Sequence, residues 1–230
     1  MPTSTPRPGE RAPGRWPVAT VSVLALTAVP TVLQYPFPQV RTALWRDPGL
    51  IAAGQWWRLV TALFAQYDAV WQIVVVLACI AAVGGLAERI FGHGWWLVIY
   101  LGCGVIGQIF GYLWEPPDAG ASVAGAGLLG AVSAWLLSAA GPRQLQVRIW
   151  GVLWPLVAIA LTLKQDQHGP PLLVGFAAGA LLLWRDRQES SRAGHRPAAT
   201  GGSSSCPDGS RRRPRPHLPG AARRSSGAIL

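Results

Sequence analysis

The chain has 230 residues, half of them hydrophobic and only 13% charged, about half the charge content of an average soluble protein. A formal net charge of +10 would direct a soluble protein toward nucleic acid. Here long stretches carry no charge while Arg crowds into the two ends and the short gaps between apolar runs, so membrane topology accounts for the basic residues and nucleic acid is not an expected partner.

A helix needs about 20 mostly apolar residues to cross the hydrocarbon core. Residues 1–17 form a basic lead with Arg7, Arg11 and Arg15, and six apolar runs follow: Val18–Leu33, then 69–86, 95–114, 122–140, 149–163 and 171–184. The expected fold is therefore all-α, a polytopic bundle of six transmembrane helices over residues 18–184. Residues 185–230, rich in Arg, Pro, Gly and Ser, have little to bury and are expected to stay disordered. Anionic lipid is the most available partner for that tail, at roughly 1 kcal/mol per basic group near the surface.

Arg89 lies between the second and third runs, and Arg143 and Arg148 lie between the fourth and fifth. The third and fourth are separated by a segment with acids only, EPPDAGA. Basic loops remain in the cytoplasm, so both termini are expected there and the protein is expected in the cell membrane. Trp56, Trp57, Trp95, Trp96, Trp114 and Trp184 stand at run ends, as an interfacial aromatic belt requires. The long external segment from Gln34 to Tyr67 is too polar to span, yet WWRLVTALF within it is apolar enough to lie on the lipid surface or against the bundle. Cys79, Cys103 and Cys206 have no metal-ligand spacing, and neither a metal nor a cofactor is expected.

Four pieces in this order resemble the rhomboid family of intramembrane serine proteases. GQWWRLVTALF is similar to the external-loop motif, through Trp57 and Arg58; GGLAERIFG resembles the end of the second core helix, through Gly84 and Glu88. GASVAGAGLLGA resembles the nucleophile segment, and GFAAG the Gly-xxx-Gly end of the sixth helix, through Gly175 and Gly179. The resemblance spans roughly residues 54–184. It implies a six-helix bundle in which a Ser on helix four attacks a peptide bond with a His on helix six as its base.

Ser122 falls on the nucleophile position, followed by Val123 where the family has Gly. Counting back three residues from Gly175 puts Leu172 where the resemblance implies the His. The helix-two His and Asn that shape the oxyanion site correspond to Gln72, which can still donate, and Val76, which cannot. The expectation is therefore a rhomboid-like pseudoprotease that binds transmembrane segments of other proteins without cutting them. The alternative is a divergent protease using Ser122, with His168 as base despite Pro170 and Pro171 between it and Leu172. Without that partner Ser122 is expected to cap its helix. His93, His195 and His217 fall on a cytoplasmic loop and in the tail. Arg58 is expected to anchor the external segment, Glu88 to bond at a helix end, and Gly175 and Gly179 to let helices approach closely.

Overall fold

A computed structural model describes residues 17–66, 69–114 and 116–194. The lead with Arg7, Arg11 and Arg15, and the tail from residue 195 with Cys206, His195 and His217, lie outside the described residues. The described chain is helical: α1 (Val18–Leu33), α2 (Pro38–Leu44), α3 (Pro48–Ala52), α4 (Arg58–Thr61), α5 (Val70–Trp114), α6 (Ser122–Leu137), α7 (Leu145–Leu163) and α8 (Gly169–Gly194), with a 3-10 turn at Ala62–Phe64. One isolated antiparallel bridge joins Arg46 to Asp118.

Among the described helices α5 and α7 are long and apolar enough to cross a membrane, while α1 and α6 are apolar but shorter. Helix α5 consists of two arms, because Gly92 interrupts it at φ 77°, a left-handed backbone that glycine adopts without steric cost. Each arm, 70–91 and 93–114, is about 33 Å long at 1.5 Å per residue, enough for a hydrocarbon core of about 30 Å. Val74, Val75, Val98, Leu113, Trp150, Leu156 and Leu163 remain exposed on α5 and α7. So many large apolar side chains in one exposed surface match a lipid-facing wall.

Helix α6 is the centre. It packs most extensively on α8 and α5 and also on α7, and it buries Val123, Ala124, Gly127, Leu128, Gly130 and Ala131. The approach to α8 is backbone on backbone: a Cβ on Gly175 would collide with the Gly127 carbonyl, and one on Gly179 would stand 2.7 Å from Ala131 Cα. Small residues permit such approach where lipid offers no hydrophobic drive between helices. Val123, which stands where the family motif has Gly, is fully buried. Its bulk is received by Gly107 on α5, where an added Cβ would lie 2.6 Å from Val123 Cβ.

The helices follow the expected runs but differ at several ends: α6 stops at Leu137, α7 starts at Leu145, and α8 is longer at both ends. Helix α8 begins at Gly169 rather than after the prolines; Pro170 and Pro171 sit in its first turn, where a missing N–H leaves no helical bond unmade. It also continues to Gly194, ten residues beyond Trp184. Among the tryptophans, Trp56, Trp57, Trp95 and Trp184 are exposed, but Trp96 is fully buried. Its Nε1 donates to the Gly84 carbonyl at 2.9 Å and its ring stacks on Tyr100, so Trp96 is core rather than belt.

Candidate active site

Ser122 is the first residue of α6, and its hydroxyl caps nothing: Ala121 holds the N-cap position with no side-chain bond. Instead Ser122 Oγ lies 2.9 Å from His168 Nε2. The other ring nitrogen, Nδ1, lies 2.8 Å from Asp166 Oδ1, and the same oxygen accepts the His168 backbone N–H at 2.8 Å. His168 is therefore not a solvated loop residue. The imidazole expected at position 172 is supplied one turn earlier, while Leu172 is buried in the helix packing.

The error lay in the register counted from Gly175. His168 stands just before α8, seven residues ahead of Gly175, and its carbonyl accepts the Leu172 N–H at 3.4 Å, so it continues the face of the helix on which Gly175 lies. That face meets α6, where Gly127 receives Gly175. The glycine contact that joins the two helices thus also fixes the distance between nucleophile and imidazole.

The segment carrying the imidazole is built bond by bond. Helix α7 ends with Gln165 in left-handed backbone at φ 58°. Asp166 N–H then reaches the Leu161 carbonyl and Gln165 N–H the Thr162 carbonyl, both at 3.0 Å, the paired bonds of a Schellman turn. Gln167, between the acid and the imidazole, is buried. Its Oε1 accepts from Arg46 Nη1 at 2.5 Å and its Nε2 donates to Asp118 Oδ2 at 3.1 Å.

Arg46 comes from the segment between α1 and α5 and is fully buried. It also donates to Gln108 Oε1 and to the Pro116 carbonyl, each at 2.9 Å. A buried guanidinium is tolerated only when its donors are met, and Gly111 makes the space: a Cβ there would overlap the Arg46 and Gln167 side chains. The external segment is therefore tied to the bundle beside the imidazole rather than laid on lipid alone.

Partial burial of the Asp166 carboxyl pushes its pKa up. The hydrogen bonds from the His168 backbone and ring, with the imidazole's charge when protonated, outweigh this and hold it below its ordinary value.

Sequence reasoning missed Asp166 and Gln66. The Gln66 amide is fully buried with neither end paired among the described residues, which is rare for a buried polar group. The space where a Cβ of Gly120 would stand lies 3.2 Å from Ser122 Oγ and 3.6 Å from Gln66 Oε1, so the amide and the hydroxyl border one small gap. Gln72, the expected oxyanion donor, is half-buried near the start of α5 and forms no hydrogen bond among the described residues. Val76 packs against the core.

The remaining expected residues hold structure. Arg58 Nη1 donates to the carbonyls of Thr42 at 2.9 Å and Trp45 at 3.0 Å, and Nε to Gln55 at 2.7 Å, so it anchors the external segment through carbonyls. Trp57 is exposed. Glu88 accepts the backbone N–H groups of Ala19 and Thr20 and the Thr20 hydroxyl, at 2.6–2.8 Å, and pairs with His93. No group of three or more potential metal ligands occurs among the described residues.

Residues 53–188 match the Rhomboid domain family model. The chain is 37% identical over 146 residues to "Rhomboid protease GluP" of Bacillus subtilis (strain 168), covering 60% of this chain and 28% of that protein. It is 35% identical over 123 residues to "Putative rhomboid protease YdcA" of the same strain, covering 50% of this chain and 60% of that protein. It thus spans less than two thirds of the length of either relative. With a family model matched over more than half of its length, on an all-helical bundle that packs the nucleophile segment against the glycines of the last helix, the chain belongs to the rhomboid family.

Proposed function

We propose that this rhomboid-family membrane protein is a serine endopeptidase that cleaves transmembrane segments of other proteins, with Ser122 as nucleophile and His168 as general base. The observation that carries this reading is the 2.9 Å contact between Ser122 Oγ and His168 Nε2. A Ser hydroxyl is a weak nucleophile until an adjacent base takes its proton. The expectation of an inactive protein rested on a missing imidazole and on the lost helix-two Asn; the first ground falls away, because the His168 imidazole lies within reach of Ser122.

In the reaction Ser122 Oγ bonds to the scissile carbonyl carbon as its proton passes to His168 Nε2. The carbonyl oxygen takes the negative charge; the tetrahedral species then breaks its C–N bond, and the leaving amine takes the proton from His168. Water, deprotonated by the same imidazole, attacks the acyl carbon; the acyl–oxygen bond breaks as His168 returns the proton to Ser122 Oγ. Donors for the charged oxygen are the N–H groups in the first turn of α6 that no helical bond uses. They do not need the helix-two Asn that Val76 replaces.

Six crossings fit this reading: α1, the two arms of α5, α6, α7 and α8. On this reading, with basic loops in the cytoplasm, Ser122, His168 and Arg46 are external and Arg89, Arg143 and Arg148 cytoplasmic with both termini. Residues 1–17 and 185–230 are then basic cytoplasmic flanks with anionic lipid as their partner.

The test is cleavage of a transmembrane reporter by the full chain in liposomes. Wild type should cut it and Ser122→Ala should not. A wild type that leaves every reporter intact yet co-purifies with transmembrane segments would support the binding scaffold instead.

A further inference from the structure

Asp166 makes the site a three-residue relay, and resting on the protease reading above, we propose that it is the positioning residue that sets the tautomer of His168 and steadies the imidazolium formed during attack. The carboxylate belongs to the same turn as the imidazole, two residues before it.

The argument begins with what each atom can do. An ionised carboxylate only accepts. Asp166 Oδ1 at 2.8 Å from His168 Nδ1 therefore requires the proton on Nδ1. That leaves Nε2 bare, and the bare nitrogen faces Ser122 Oγ at 2.9 Å. This is the one neutral tautomer able to take the Ser122 proton. Without the carboxylate either nitrogen could carry the hydrogen, and the Nε2–H form would present a donor where a base is needed.

The surroundings hold this pairing in place. His168 N–H donates to the same Oδ1, so the acid cannot leave the ring without breaking a backbone bond as well. Gln167 is clamped between Arg46 and Asp118, which stops the intervening residue from swinging. Gln165 stands in left-handed backbone, a conformation that is strained for a non-glycine residue. That turn is what brings Asp166 beneath the imidazole; strain held beside a reacting group is a recurrent feature of functional sites.

Magnitude follows from exposure. Removing the charge of a buried acid in such a relay lowers turnover about 10⁴-fold. The Asp166 side chain is 38% exposed and that of His168 34%, so solvent screens part of the effect, and a loss of about 10–100-fold is expected.

Asp166→Asn isolates the role. It keeps an oxygen acceptor for the His168 backbone N–H, so the turn stays folded, and removes only the charge. Two readouts are taken on the full chain in detergent. In the first, ¹⁵N spectra of histidine-labelled protein at about pH 8, where an ordinary imidazole is neutral, are assigned with His168→Gln. Wild type should show Nδ1 protonated and Nε2 bare, and Asp166→Asn should show a mixture. In the second, reporter cleavage by Asp166→Asn should fall about 10–100-fold in kcat, with KM within about twofold and only a small drop in melting temperature. Identical ring signals in wild type and variant would overturn the proposal, whether or not the protein cleaves. Failure of wild type to cleave, with the tautomer still dependent on Asp166, would sink the protease reading and leave the positioning role standing.

Discussion

The chain holds two groups made of the same three parts, a carboxylate, an imidazole and a hydroxyl. At the Gly92 turn of α5 they are Glu88, His93 and Thr20; at the start of α6 they are Asp166, His168 and Ser122. The first set has the carboxylate in the middle. Glu88, 4% exposed, receives two backbone N–H groups, the Thr20 hydroxyl and His93 together, so every part is spent on tying α1 to α5. Pro17, at the N-cap of α1, offers no side-chain cap, and Glu88 supplies that cap from 68 and 69 residues away. The second set has the imidazole in the middle. Its hydroxyl faces a ring nitrogen instead of a carboxylate, the order of parts that the proposed nucleophile and base require.

Mutations that exchange the expected consequences would break the comparison. The largest effect should follow His168→Gln: reporter cleavage should fall by at least about 10³-fold, as when a base is removed from a serine relay, with little change in melting temperature. His93→Gln should leave cleavage within about twofold. Glu88→Gln should do the reverse. Weakening the carboxylate bonds that cap α1 should lower unfolding free energy by about 2–3 kcal/mol, measured by denaturant titration in detergent, while activity per folded molecule stays near wild type.

A third variant couples the two properties. Gly175→Ala pushes a methyl into the Gly127 carbonyl and should cost about 1–3 kcal/mol. Because the same contact fixes α8 against α6, cleavage should fall along with stability, unlike in either variant above.

The smallest effect is a pH dependence. The Asp166 carboxyl is held below its ordinary value of 3.8, so its contribution is complete above that pH and is lost as pH falls through the lower folded value. Acid titration of melting temperature should show this loss in wild type and not in Asp166→Asn. The difference should be modest, since the side chain is more than a third exposed.

Much of this was legible in the chain. Apolar runs gave the helices because a helix in lipid must meet its own backbone bonds. The spacing of Gly175 and Gly179 gave the close face of α8, and for Arg58, where headgroups or carbonyls were both open as partners, the carbonyls of Thr42 and Trp45 take its Nη1. The imidazole was misplaced because its partner is 46 residues away in sequence and the count started from a glycine one turn too far along. A same-face reading would have found it: His168, Gly175 and Gly179 are seven and then four residues apart, and the two prolines mark the start of a helix rather than a barrier to one. Arg46 was harder to foresee. Nothing local distinguishes it from Arg41 or Arg58; its burial depends on Gly111, Gln108 and Gln167, which only the folded chain brings together. Trp96 was read as an interfacial residue because it follows Trp95, yet neighbouring positions on a helix point about 100° apart, and only one of the two faces lipid.

The account's central claim is that His168 activates Ser122. The most direct measurement is labelling of the purified full chain with a fluorophosphonate serine probe, comparing wild type with Ser122→Ala and His168→Gln and using an active intramembrane serine protease as control. The account predicts labelling of wild type, none of Ser122→Ala, and a rate reduced by at least about 10³-fold in His168→Gln. Equal labelling of wild type and His168→Gln, or no labelling of wild type while the control reacts, would contradict it.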